Sequence, residues 1–203
     1  MKGLSFATDL VPAVLDGSKS VTWRLMKPQP ICQNHYWSWN AGTSKYFGWF
    51  DMDSPNKYPR PITLFAPYRV GEVRYLKEAI RRAPATPDWA MYVADGRIVP
   101  NGKPPLKWRW KQDFLPAIFL PEEASRKLLK IVSVRVGRVQ SITYDDILME
   151  GWDARRSQPI SDGTAGEDAR DWYAELCDKR YGKGSWGSNY WAWRYEFQRT
   201  EAK

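Results

Sequence analysis

The sequence predicts an α+β fold: a small, partly closed β-barrel with about three flanking helices and two insertions. Three observations carry this expectation. Short segments of period-two alternation recur along the chain, and three other segments carry helix start and stop signals. The two kinds are interleaved without the regular strand–helix alternation of a doubly wound sheet. Prolines cluster in two excursions, at about 29–65 and 81–116, which read as insertions into a single domain spanning residues 1–203. No internal repeat is visible, which excludes a solenoid.

Leu4 to Ala7 reads as a short strand. Thr8 is placed to cap a helix from Asp9 to Asp16, with Leu10, Val14 and Leu15 as its apolar face and Gly17 as its stop. Ser18 to Met26 continues as a turn and an extended segment. His35–Trp39 and Tyr46–Phe50 flank the turn-like residues 40–44, predicting an aromatic hairpin. Val70 to Ile80 reads as a strand opened by Gly71. Met91 to Val99 reads as a hairpin about Asp95-Gly96.

Lys127 to Ile142 carries the clearest strand pattern, with Val132, Val134 and Val136 on one face and Ser133 and Arg135 on the other. Thr143 caps a helix ending at Gly151, where Asp145 and Asp146 suit the N-terminus. A loop at 163–166 leads into a helix from Glu167 to Arg180, with Ala169, Trp172 and Leu176 on one stripe. Asn189 to Arg199 alternates as a closing strand, in which Trp191 and Trp193 are expected to pack in the core.

Composition narrows the chemistry. Twelve tryptophans, eleven tyrosines and a formal charge of +8 suit contact with phosphate and stacking on bases, and suit equally a Trp-rich core under a basic surface. No run approaches the ~20 apolar residues of a bilayer span, and no signal peptide is visible. Cys32 and Cys177 are too far apart for a Cys-X-X-Cys site, and with His35 alone they cannot complete a zinc cage. No metal site and no cofactor are expected, no membrane partner, and a reducing, cytoplasmic location. Asp51-Met52-Asp53 and Asp145-Asp146 read better as turn and cap residues than as Mg²⁺ ligands.

The chemistry that survives must run on Lys, Thr, Ser, Tyr and carboxylates. Residues 17–24 place Lys19, Thr22 and Arg24 in and just after a tight turn, with Ser20, Thr22 and Arg24 on one face of the extended part. A solvated basic turn is the commoner outcome for such a segment. Glu78 ends the 70–80 strand, where an inward group lines a cavity and an outward one meets solvent. Arg126 could hold a phosphate or base edge, or make a surface ion pair. Lys107, Arg109 and Lys111 alternate with Trp108 and Trp110, as on a single-strand platform or along a segment whose indoles are buried.

Four motifs occur in order: Gly-x-Lys-x-x-Thr-x-Arg from Gly17, Gly-Glu-Val-x-Tyr-x-x-Glu from Gly71, Pro121 to Arg126, and Trp186 to Trp193. In this the chain resembles the ASCH domain, a PUA-like barrel family, and in particular the ASCH proteins of phages and prophages. The resemblance covers roughly 1–28, 66–80, 121–152 and 170–199. It implies a cleft for a nucleobase, with RNA, DNA or a modified nucleoside as partner, in the cytoplasm of a bacterial cell or a phage-infected host.

By similarity to the N4-acetylcytidine amidohydrolases of the family, it implies catalytic roles for Lys19, Thr22 and Glu78. Trp23, Arg24, Tyr75, Ser125 and Arg126 are expected to bind substrate; Lys107, Trp108, Arg109, Trp110 and Lys111, in an insertion outside the resemblance, are expected to bind nucleic acid by their basic–aromatic alternation. Trp23 and Ile80 depart from the phage pattern, where Arg and Trp are common, and so alter the cleft wall. The alternatives are a non-catalytic reader of RNA or modified DNA and a metal-dependent ribonuclease.

Overall fold

The computed structural model describes residues 2–27, 29, 38–39, 47–50, 61–100, 105–153 and 165–200. Its fold is mixed α+β. In chain order the elements are β1 (Gly3–Ser5), α1 (Val11–Asp16), β2 (Val21–Leu25), β3 (Ser38–Trp39), β4 (Phe47–Phe50) and β5 (Pro61–Leu64). They continue with β6 (Val73–Lys77), β7 (Ile80–Arg82), β8 (Ala90–Tyr92), β9 (Phe114–Leu115) and β10 (Leu128–Arg138). The last three are α2 (Tyr144–Met149), α3 (Ala165–Tyr181) and β11 (Trp191–Thr200). The strands form a five-stranded sheet ordered β1–β6–β10–β11–β2 and two three-stranded sheets, β3–β4–β5 and β8–β7–β9. Among the described residues no closed barrel is found.

The chain divides into two compact units. The first comprises Met1–Ser20, Val73–Lys130 and Phe197–Lys203. Here β1 runs parallel to β6, Leu4 opposite Leu76, and β10 begins antiparallel to β6 with Leu128 opposite Tyr75. Arg74, Tyr75 and Leu76 are all buried, so both faces of β6 are covered, where a strand with one solvated face would expose every second residue. A second core gathers Ile80, Tyr92, Val99, Leu106, Leu115 and Leu120 around the small sheet.

Local chemistry shapes the start of the chain. Thr8 does not cap the first helix. A 3₁₀ turn occupies Thr8–Leu10, its N-cap is Ala7, and no side chain bonds the cap. Pro12 sits in the first turn of α1, where its missing N–H costs nothing. Gly17 ends the helix at φ +94°, a left-handed conformation that glycine adopts without a Cβ clash. The backbone amides of Gly17 and Lys19 both return to the Ala13 carbonyl, at 3.1 and 2.8 Å. The expected hairpin at 91–99 forms, with Tyr92 N–H donating to Arg97 O and Gly96 at φ +71°. The 70–80 strand is interrupted after Lys77, so that Glu78 falls between β6 and β7.

The second unit comprises Val21–Glu72 and Ile131–Glu196. Its β11 pairs antiparallel with β2, Tyr195 opposite Thr22 and Arg194 opposite Trp23. β3 and β4 pair as the expected hairpin, Trp39 opposite Phe47, and its turn lies outside the described residues. Thr143 caps α2 as expected, its hydroxyl accepting from Asp146 N–H at 3.2 Å. α3 starts two residues earlier than expected. It buries Ala169, Tyr173 and Cys177, spaced four apart, against Trp23, Ile147 and Trp152. Trp172 and Leu176, the expected stripe, pack beside that face half-buried.

Candidate functional site

Glu78 falls at the break between β6 and β7 in the first unit, and its side chain is 0% exposed. A buried carboxylate needs a counter-charge. Arg126, just before β10, supplies it with two hydrogen bonds of 2.8 and 2.7 Å to the two oxygens of Glu78. The third arm of the guanidinium reaches Asp95 at the tip of the β8 hairpin, 2.5 Å away. Arg126 also lies over the Tyr92 ring, 4.0 Å from its centroid. Tyr92 is buried, and its hydroxyl donates to the Ala124 carbonyl at 2.8 Å.

The electrostatics of this group follow from burial and from the shared arginine. Loss of water raises the Glu78 carboxyl above its ordinary value, while Arg126 pulls it back only in part. For Asp95 burial is the largest single influence and raises it, but the hydrogen bonds and charges of Arg126 and Arg97 together outweigh it and leave Asp95 below the usual carboxylate range. One cation therefore faces a carboxyl inclined to take a proton and another inclined to stay charged.

Lys19 is 1% exposed, an unusual placement for an ammonium group. Its Nζ lies 5.7 Å from the Phe6 ring centroid, within cation–π range.

Thr22, Trp23 and Arg24 lie on β2 in the second unit. Thr22 is 0% exposed, and among the described residues its hydroxyl has no hydrogen-bond partner. A buried hydroxyl left unbonded costs about 1–3 kcal/mol and calls for an explanation. Trp23 is a core residue of this unit, and its backbone N–H donates to the buried carboxylate of Glu150 at 2.5 Å. Arg24 is half-buried. Burial and then the like charge of Arg180 lower its pKa, against Tyr181, Tyr68 and Glu150.

The other expected residues have structural partners. Tyr75 Oη donates to Leu120 O at 3.2 Å, and Ser125 Oγ bonds the carbonyls of Leu76 and Lys127 at 2.9 and 3.0 Å. Along 107–111 the cations are exposed while Trp108 and Trp110 turn inward, edge to face at 4.9 Å, against the small-sheet core. Arg109 pairs with Glu123 at 2.6 Å. Trp193 is buried as expected, whereas Trp191 is half-buried beneath Arg138, 4.3 Å from its ring.

Asp146 bonds Arg194 and so has a structural role; Asp51, Asp53, Cys32 and His35 lie outside the described residues. Among the described residues no three of His, Cys, Asp and Glu group as a metal site would require.

Asp95, Tyr92 and Glu150 were not singled out in the sequence. Asp95-Gly96 carries an ordinary turn signal, and nothing local announces that its carboxylate reaches a residue 31 positions away.

Comparison with known proteins gave no match: no family model fits the chain, and no curated protein or solved structure is significantly similar.

Proposed function

We propose that this chain is an ASCH-type, PUA-like domain that removes an acyl group from a modified nucleobase, with N4-acetylcytidine as the reference substrate. The observation that carries the reading is the burial of three polar side chains of the required types: Lys19 at 1%, Thr22 at 0% and Glu78 at 0% exposure. Burying such groups is costly, and chemistry is a common reason for retaining them. The unbonded Thr22 hydroxyl suits a nucleophile awaiting substrate. The fold supports the reading only in its mixed α+β class, since no closed barrel is found among the described residues.

In this mechanism Thr22 Oγ attacks the acyl carbonyl carbon while its proton passes to neutral Lys19, three residues earlier in the chain. The bond to the exocyclic nitrogen breaks, and that nitrogen takes a proton from Glu78 as it leaves. Burial suits Glu78 to the task, because it raises the carboxyl towards the working pH, while Arg126 keeps proton release possible. Water then attacks the acyl-threonine ester and releases the carboxylic acid. The test is turnover of N4-acetylcytidine by wild type and Thr22→Ala. Wild-type deacylation that Thr22→Ala abolishes supports the role of Thr22; equal turnover, or none in either, removes it.

A second reading, a non-catalytic reader of RNA or modified DNA, is favoured by a cation-lined cavity at Lys19. It expects salt-dependent binding that survives Thr22→Ala, with no product formed.

A further inference from the structure

A cavity of about 550 Å³ opens at the end of α1, within the size range of small-ligand sites. Its wall carries Lys19, Lys127 and Arg199, the hydroxyl residues Ser20 and Thr200, and Phe197. No Asp or Glu is among its described lining residues. Lys127 makes no side-chain hydrogen bond or ion pair among the described residues. Arg199 donates to the Leu15 carbonyl, a neutral acceptor, and makes no ion pair among the described residues. Arg199 is seated over Gly17, where a Cβ would stand 2.5 Å from Nη2, so the glycine that ends α1 also makes room for this cation.

Lys127 and Arg199, brought to one concave surface, repel each other, and an anion relieves that repulsion. A neighbouring cavity of about 580 Å³ shares Lys127 but includes Asp16 and Asp95 beside Arg97 and Arg126. There two carboxylates stand among three cations, whereas the described lining of the cavity at Lys19 has cations and no carboxylate.

We propose that this cavity holds the phosphate of the substrate, so that the chain prefers a phosphate ester of a nucleoside to the free nucleoside. Lys127 and Arg199 donate to the phosphate oxygens, and the Ser20 and Thr200 hydroxyls supply neutral donors. A tetrahedral anion with several acceptor oxygens suits this donor set better than a planar carboxylate. The inference rests on the reading of Lys19 as a reaction residue, because Lys19 lines the same cavity. The shared chemistry is a phosphate ester, supplied either by a mononucleotide or by a strand.

Calorimetric titration of the full chain with cytidine, cytidine 5′-monophosphate and a short cytidine oligonucleotide tests it. The monophosphate should bind about tenfold or more tightly than cytidine, the factor of a charge-assisted hydrogen bond, and the gap should shrink as salt rises. Inorganic phosphate should compete. Lys127→Gln and Arg199→Gln should each close the gap, with thermal unfolding confirming that both variants fold. Tighter binding of the oligonucleotide supports a strand as the phosphate source, and tighter binding of the monophosphate supports a free nucleotide.

Equal affinity for cytidine and its monophosphate in wild type, or a gap that persists in both variants, overturns the proposal. Turnover of acetylated cytidine without phosphate preference removes this inference and leaves the hydrolase standing. Phosphate preference without turnover of either ester or nucleoside does the reverse.

Discussion

Replacing Arg126 with Met isolates what keeps Glu78 inside the protein. The two side chains are 14% and 0% exposed, and two hydrogen bonds of 2.8 and 2.7 Å join them. Removing the guanidinium strands a buried carboxylate, which costs about 3–5 kcal/mol when one partner of a buried pair is lost. Arg126 keeps some contact with water, and Met restores part of its stem packing on Tyr92, so the lower end, about 3 kcal/mol, is expected near neutral pH.

The pH dependence has a definite sign. Burial already raises the Glu78 carboxyl, and Arg126 is the main opposing influence. Without it the folded-state value rises further. A raised carboxyl contributes stability fully present below its unfolded value and lost as pH rises through the folded one. Asp95, held low chiefly by Arg126, has the opposite dependence in wild type: its contribution is lost as pH falls. Both effects narrow the gap between the variant and wild type on acidification.

Urea unfolding of wild type, Arg126→Met and Glu78→Gln/Arg126→Met, each at neutral and at mildly acidic pH, measures this. The loss should be about 3 kcal/mol at neutral pH, smaller in acid, and mostly recovered when Glu78 is also neutralised. A neutral-pH loss under about 0.5 kcal/mol would refute the reasoning, since that is the range of ordinary surface substitutions. So would a loss of equal size at both pH values.

Three further outcomes follow from single positions. Gly17→Ala should lower stability by about 1–3 kcal/mol in the same unfolding assay, because the new Cβ must sit at φ +94° and displace Arg199. Cys177 should resist alkylation in the native protein at mildly alkaline pH and react once urea is added, as peptide mapping would show; burial pushes its thiol up to about 12, against a hydrogen bond from Tyr173. Asp146→Asn should cost about 1–3 kcal/mol, because Arg194 loses the carboxylate that its Nη2 meets at 2.7 Å and keeps, among the described residues, only Glu196, at 3.3 Å, as a charged partner.

What the sequence disclosed and what it withheld divides along a physical line. β10 and β11 as strands, the α2 cap at Thr143 and the stop at Gly17 were legible, because alternation, capping and left-handed glycine are local properties; the inward face of β10 was not, since Leu129, Ile131 and Val134 are buried while Val132 and Val136 are half-buried. Thr8 misled because a 3₁₀ turn intervened and moved the helix start past it. Trp108 and Trp110 were ambiguous, since alternation gives two faces without saying which is inward. Glu78 was legible as a residue type at a strand end. Its partners were not, because Arg126 lies 48 positions away and Asp95 reaches Arg126 across 31. The bond from Trp23 to Glu150 spans 127 positions and had no local signal at all.

The role of Thr22 as nucleophile is tested most directly by trapping the covalent intermediate. Wild type is mixed with N4-acetylcytidine, quenched in acid within the first turnovers, and mapped by peptide mass spectrometry. The expected result is one acetyl group on the peptide containing Thr22, absent from Thr22→Ala and from protein without substrate. Deacylated product accumulating with no acetyl on Thr22, or formed undiminished by Thr22→Ala, would contradict it.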